Sequence, residues 1–265
     1  MLAVTSTQLD AWIAAFVYPV ARILALMLAA PVFSNRGVPR RIVLLIGLAV
    51  ALALAPTVPP LPAVSPASAA GVLILAQQIL IGIAMGFAVR IVFAAVDLAG
   101  ELIGLQMGLS FAVFFDPGTS GQTPVVAEFF GLLATLIFLT LNAHLMMLAA
   151  LSASFQLLPI DLAPVSAVSM AMLARWGTTI FAAGVLLALP LIAALLITNV
   201  ALGVLTRAAP QLNLFAVGFP VTLMVGFGVL FLSLHLSAPV LERMFEQGLS
   251  ALDQWMRVAG NPAPR

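Results

Sequence analysis

The chain has 265 residues, of which 63% are hydrophobic and only 7% charged, with ten basic against nine acidic side chains and a net charge of +1. A soluble domain carries about 25% charged residues, so this sequence cannot cover a water-facing surface, and so small a net charge implies no strong steering of nucleic acid. Every basic residue is arginine, and the absence of cysteine excludes disulfides and thiolate metal sites.

Long apolar runs, rather than the short alternating segments of a barrel, predict an all-α polytopic membrane protein. Spans are expected over about 11–33, 42–56, 71–96, 98–115, 125–151, 178–206 and 214–241. The central count is six. The fourth run either continues the third as one long bent helix or turns back, and the second is short for a bilayer. The N-terminus lacks a basic leader, and its apolar run is too long for a signal peptide, so the first segment is expected to stay as a membrane helix.

Breakers separate the runs. Ser34 to Arg41 is a basic turn, and Pro56 to Pro66 holds five prolines in eleven uncharged residues, the composition of an extended linker. Ser154 to Gly177 is mildly amphipathic and has room for a short interfacial helix. Thr206 to Asn213 is a further turn. Beyond Leu241, apolar residues at 241, 244, 245, 249, 252, 255 and 256 follow helical spacing, so the tail is expected to lie on a membrane or a partner. With six spans, Arg36, Arg40, Arg41 and Arg207 share one side. The positive-inside rule then puts those loops in the cytoplasm and both termini outside, although Arg243, Arg257 and Arg265 of the tail pull the other way.

Arg90, Asp97 and Glu101 interrupt an apolar stretch. Positions 90 and 97 differ by about 20° around a helix, and 97 and 101 by about 40°, so all three share a face. An ionisable group at membrane depth costs several kcal/mol unless paired or hydrated. The favoured reading is an ion-pair seam between helices or subunits, with Arg22 of the first span as one partner. A transported-ion site and simple proximity to the membrane surface are the alternatives. Gly100, Gly104 and Gly108 recur at every fourth position, as do Gly82 and Gly86, a spacing that lets helix backbones approach closely. His144 and His235 each stand alone, without a second ligand at metal-binding spacing, and are read as hydrogen-bonded to neighbouring helices. Glu128 opens a helix, where the dipole favours a carboxylate.

No motif of a hydrolase, metalloprotease or nucleotide-binding loop is present, so the chain is read as a non-enzyme that needs no cofactor or metal. The remaining oddity is a polar turn, Asp-Pro-Gly-Thr-Ser-Gly at 116–121, preceded by Phe111, Phe114 and Phe115. It serves either as a plain connector or as a movable stopper. Pro117 fixes one turn dihedral, Gly118 and Gly121 permit positive φ, and the rings supply a sealing surface.

The run GELIGLQMGLSFAVFFDP, the following FFGLLATLIFLTLNAHLMMLAALSASFQLLP, the early ARILALMLAAPVFSNRGVPRRIVLLIGLAVALALAP and the later LPLIAALLITNVALGVLTRAAPQLNLFAVGFP resemble the FliR family of the bacterial type III export gate over nearly the whole chain. The related virulence-secretion component (SctT) is the nearest competitor. The resemblance implies a FliP-like part at about 1–176 followed by a FliQ-like part at 177–265. It implies assembly with FliP and FliQ into a gate in the bacterial inner membrane, part of the flagellar basal body, through which unfolded flagellar proteins leave the cytoplasm. FlhB is expected alongside and FlhA beneath. In such an assembly much of the apolar sequence is drawn out above the bilayer plane. The resemblance also implies that Phe111 to Thr123, with Phe111, Phe114, Phe115, Asp116, Pro117, Gly118 and Gly121, forms a plug in a central pore.

Overall fold

A computed structural model describes residues 5–34, 37–62, 64–109, 124–209 and 214–260. Among these residues the regular structure is entirely helical: α1 (Ser6–Ala29), α2 (Arg40–Leu54), α3 (Ala69–Gln106), α4 (Val125–Thr140), α5 (Ala143–Leu157), α6 (Ala167–Trp176), α7 (Thr179–Ala208) and α8 (Leu214–Gly260), with a short 3-10 turn at Ala55–Thr57. Five stretches are long and apolar enough to cross a membrane, and α4 with α5 passes the same test as one broken span, giving up to six. The protein is an all-α polytopic membrane protein.

Local chemistry explains the boundaries. Thr5 caps α1 by accepting the Gln8 N–H, while the Gln8 side chain returns a bond to the Thr5 backbone. Pro39 and Pro124 directly precede α2 and α4, where a missing N–H costs no helical bond. Glu128 occupies the first turn of α4, as the dipole favours.

Of the two alternatives for the fourth run, continuation of the third is the one seen, as far as Gln106: Ala69–Gln106 is the single helix α3. Two elements differ from the sequence expectation. The fifth run divides at Asn142, which adopts φ 54°; asparagine tolerates this left-handed conformation where a branched residue would not. The sequence beyond Leu241 continues α8 through the internal Pro220 and Pro239. At about 1.5 Å per residue, α3 measures about 57 Å and α8 about 70 Å, while a hydrocarbon core is about 30 Å thick. Both helices outrun a bilayer.

The chain divides into two compact units interleaved in sequence, not consecutive: residues 1–91, 142–177 and 246–265 form one, and 92–141 with 178–245 the other. In the first unit, Tyr18, Ile23, Leu26, Met27, Ile74, Ile81, Met147, Phe155 and Trp255 are buried. The apolar face of the tail joins this burial: Leu252, Trp255 and Met256 are at most 1% exposed. That face therefore packs within the chain itself, which corrects the expectation that it lies on a membrane or partner. The Trp176 indole N–H donates to the Ala88 carbonyl and fixes α6 to α3.

In the second unit, Phe93, Phe138 and Phe245 form a triangle of rings with centroids 5.2 to 5.7 Å apart and mutually inclined by 59 to 64°. Edge-to-face pairs of this kind add about 0.5–1.5 kcal/mol each beyond their buried area.

Candidate functional site

The second part of α3 gathers three helices around it, and a glycine lies at each meeting. A methyl placed on Gly100 would collide with the backbone of Ala127 in α4, and one on Gly184 of α7 would press against the Ala95 carbonyl at 2.8 Å. On α8, a methyl at Gly226 would meet Met107 at 2.8 Å. At Gly100 and Gly184 the obstacle is backbone, which leaves no room for a Cβ, while at Gly226 it is the Met107 side chain. Within the first unit the same device operates between α1 and α3: Gly82 abuts the Arg22 carbonyl and Ala25, and Gly86 abuts Ala29 and the Leu26 carbonyl.

The stripe is not uniform. Gly104 has only Val126 near it, at 3.9 Å, an ordinary contact. Gly108 is not in the helix; it adopts φ 78° and ends it. Its N–H donates to the Leu105 carbonyl, and the Leu109 N–H to the Gly104 carbonyl. This is the Schellman pattern, which requires a left-handed residue at Gly108. The reading of Gly108 as a packing position is thereby corrected: it terminates α3.

The described residues on either side of 110–123 are thus held in place. α3 is terminated at Gly108 with Met107 seated in the Gly226 notch, and α4 begins with Val126 and Ala127 against Gly104 and Gly100. Phe111, Phe114, Phe115, Asp116, Pro117, Gly118 and Gly121, read from sequence as a plug, lie outside the described residues.

Arg90, Asp97 and Glu101 all stand exposed on α3. The Asp97 carboxylate lies beside Gly131 of α4, where an added methyl would come within 3.5 Å of Oδ1. Arg22 has a different role. It is wholly buried in the first unit, and its guanidinium donates to Gln78, Ser154 and Leu158, all neutral. The expectation that Arg22 serves the charged face is therefore corrected, because its donors are already occupied. His144 Nδ1 is buried with no hydrogen-bond partner, and His235 is exposed, so the expected bond to a neighbouring helix is absent at that His144 nitrogen. Among the described residues no group of histidine and carboxylate side chains is arranged to hold a metal.

The outer faces are overwhelmingly apolar. Leu45 and Leu52 on α2, Phe181, Leu186 and Ile197 on α7, and Met224 and Phe231 on α8 are each more than 60% exposed. Apolar surface on this scale requires lipid or protein around it.

The comparisons with known proteins agree with this architecture. The family Bacterial export proteins, family 1, matches residues 13–248. Flagellar biosynthetic protein FliR of Pectobacterium carotovorum subsp. carotovorum is 47% identical, over 93% of this chain and 94% of its own length. The FliR of Escherichia coli (strain K12) is 44% identical over the same shares, and that of Bacillus subtilis (strain 168) is 30% identical over 93% of this chain and 96% of its own. The chain belongs to the FliR family of bacterial export proteins.

As a FliR-family member it is a membrane subunit of the flagellar export apparatus. Several residues that shape it escape sequence reading. Gly184 and Gly226 have no glycine four residues away on either side, the spacing that marks a stripe. Gln77 and Gln78 carry a signal: two adjacent amides in an apolar stretch need partners, and the Gln77 amide donates to the Ala163 carbonyl while Gln78 Oε1 accepts from Arg22, although Gln78 Nε2 is buried without a partner.

Proposed function

We propose that this FliR-family chain is a non-enzymatic subunit of the flagellar type III protein export gate of the bacterial inner membrane. It joins FliP and FliQ around a pore for unfolded flagellar proteins, with FlhB alongside and FlhA beneath. The observation that carries the reading is the exposure of Arg90 and Glu101 within the long, mostly apolar helix α3 of an export-family chain. Lipid cannot accept those charges cheaply. Polar groups supplied by sister subunits can, and the apolar faces of α2, α7 and α8 are covered in the same step. Family resemblance divides the chain into a FliP-like and a FliQ-like part, and assigns residues 111–123 to the pore as its plug. The relatives are named as flagellar proteins, which favours the flagellar over the virulence-type gate.

Co-expression with FliP and FliQ, followed by detergent extraction and size-exclusion chromatography, tests the assembly. One complex containing all three chains is the expected result. A monodisperse chain that never associates overturns the reading.

Charge reversal gives a sharper test of the face. Asp97→Arg and Glu101→Arg should each lower the yield of complex severalfold while leaving the accumulation of the chain itself near normal. Recovery of wild-type yield in both variants excludes the charged face as a seam. Testing the two positions separately guards against a purely internal role for Asp97, which lies against α4.

A further inference from the structure

Among the described residues Arg22 is the one charged side chain that is buried, at 0% exposure. Removing an ion from water costs several kcal/mol even after relaxation, so this site must offer compensation. No carboxylate supplies it. Nε and one terminal nitrogen both donate to Gln78 Oε1, the other donates to the Ser154 carbonyl at 2.8 Å and hydroxyl at 3.1 Å, and the Leu158 carbonyl accepts at 2.7 Å. The ring of Phe155 lies 4.5 Å from the guanidinium carbon, an added cation–π contact.

The position of the acceptors explains how the charge is tolerated. Ser154 and Leu158 mark the carboxyl end of α5, where unpaired carbonyls carry about half a negative charge. The end of a helix serves as the counterion. The Ser154 carbonyl also accepts the Leu158 N–H, so it serves both the last turn and Arg22. A second tie lies just beyond. The Gln77 amide donates to the Ala163 carbonyl, and Asp161 Oδ1 accepts the Ala163 N–H. Gly260, at the end of α8, has no Cβ to keep it away from the Leu157 carbonyl.

We propose that Arg22 is a buried clasp: it caps α5 from another helix and, with Gln77 and Gln78, straps residues 158–163 across the α1–α3 pair. The contact joins positions 132 and 136 residues apart in sequence. The first unit therefore closes only when the end of α5 reaches the guanidinium, and this stretch opens first when the clasp is lost. Lysine is a poor substitute. Its three donors radiate from one point and cannot reach Gln78 on one side and two carbonyls on the other. The clasp is a property of the chain itself and does not depend on the gate reading.

The chain has no cysteine, so a single Ile160→Cys reports on this stretch; Ile160 is 5% exposed. Maleimide labelling is followed in membranes of cells that express the full chain with its apparatus. In the otherwise unchanged chain, labelling is slow. Arg22→Met is expected to raise the rate roughly tenfold or more, since several charge-assisted bonds are lost at once and local opening follows their loss. Arg22→Lys gives a smaller rise in the same direction.

Ile81→Ala, a cavity at a wholly buried position of the same unit, is the control and should change the rate by less than about twofold. Unchanged labelling in both Arg22 variants overturns the clasp, and so does an equal rise in Ile81→Ala. Should Arg22→Met fail to accumulate, Gln78→Leu and Ser154→Ala each remove one acceptor side chain. A flat rate in both overturns the proposal as well.

Discussion

Excision of Phe114 to Gly121 is expected to turn the assembled gate into an open leak for ions and small solutes. The physical argument begins at the ends of the segment, not inside it. α3 stops at Gly108 through its own Schellman bonds, and α4 starts with Val126 and Ala127 fitted against Gly104 and Gly100. Neither attachment uses residues 114–121, so the hairpin base survives the deletion. The six residues left between Ser110 and Thr123 still reach roughly 20 Å when extended, enough to rejoin neighbouring helices. What disappears is Phe114, Phe115, Pro117 and Gly118, the residues that the proposed plug would place in the pore. Aromatic side chains at a constriction exclude water, and a pore relieved of them fills and conducts. The measurement is solute entry into cells, or conductance of the purified complex in liposomes. The control replaces the eight residues with an equal length of Gly and Ser, which restores chain length without rings. Both variants should leak. Permeability equal to the wild type in both reduces the segment to a connector.

How far the sequence is legible depends on the range of the interaction concerned. Composition and run length determine the all-helical membrane class, because hydropathy is a property of each segment alone. The Gly100 spacing marks a close approach and the approach is present, since a four-residue repeat on one helix face is local information. Gly108 belongs to the same repeat, but what surrounds it differs: the helix has ended, and a left-handed residue is required there instead. Asn142 breaks what reads as one continuous span, and no proline or glycine announces it.

Arg22 shows the limit most clearly. Its charge, read from sequence, calls for an acidic partner. The acceptors it meets are an amide side chain, a hydroxyl and main-chain carbonyls on α3 and at the end of α5. Main-chain carbonyls are invisible in a sequence, and which helix end comes to a given side chain is decided by tertiary packing. The tail reads as amphipathic for a related reason. Periodicity identifies a face that must be covered without identifying what covers it, and here the chain covers it itself.

Gly100→Ala and Gly104→Ala are expected to have opposite effects, although the two glycines are equivalent in sequence. Inside a helix, alanine is favoured over glycine by about 1 kcal/mol because it loses less backbone freedom. Space decides whether that gain is realised. At Gly104 the nearest atom to an added methyl is Val126 Cγ2 at 3.9 Å, so the methyl enters an ordinary contact and the helix gains. At Gly100 the methyl overlaps the Ala127 Cα and backbone nitrogen. No rotamer change relieves a clash with backbone, so α3 and α4 must separate. Overpacking of this kind costs about 1–3 kcal/mol even where side chains can shift, and here they cannot. A net loss of about 2 kcal/mol or more follows at Gly100, against a small gain at Gly104. Thermal unfolding of the purified chain in a mild detergent measures both, with the melting temperature falling for one variant and holding or rising for the other. Because Ala127 stands in the first turn of α4, the same separation disturbs the base of the polar turn, so Gly100→Ala should also leak in the permeability assay while Gly104→Ala remains sealed. Equal behaviour of the two variants would mean that α3 and α4 are not in contact at Gly100.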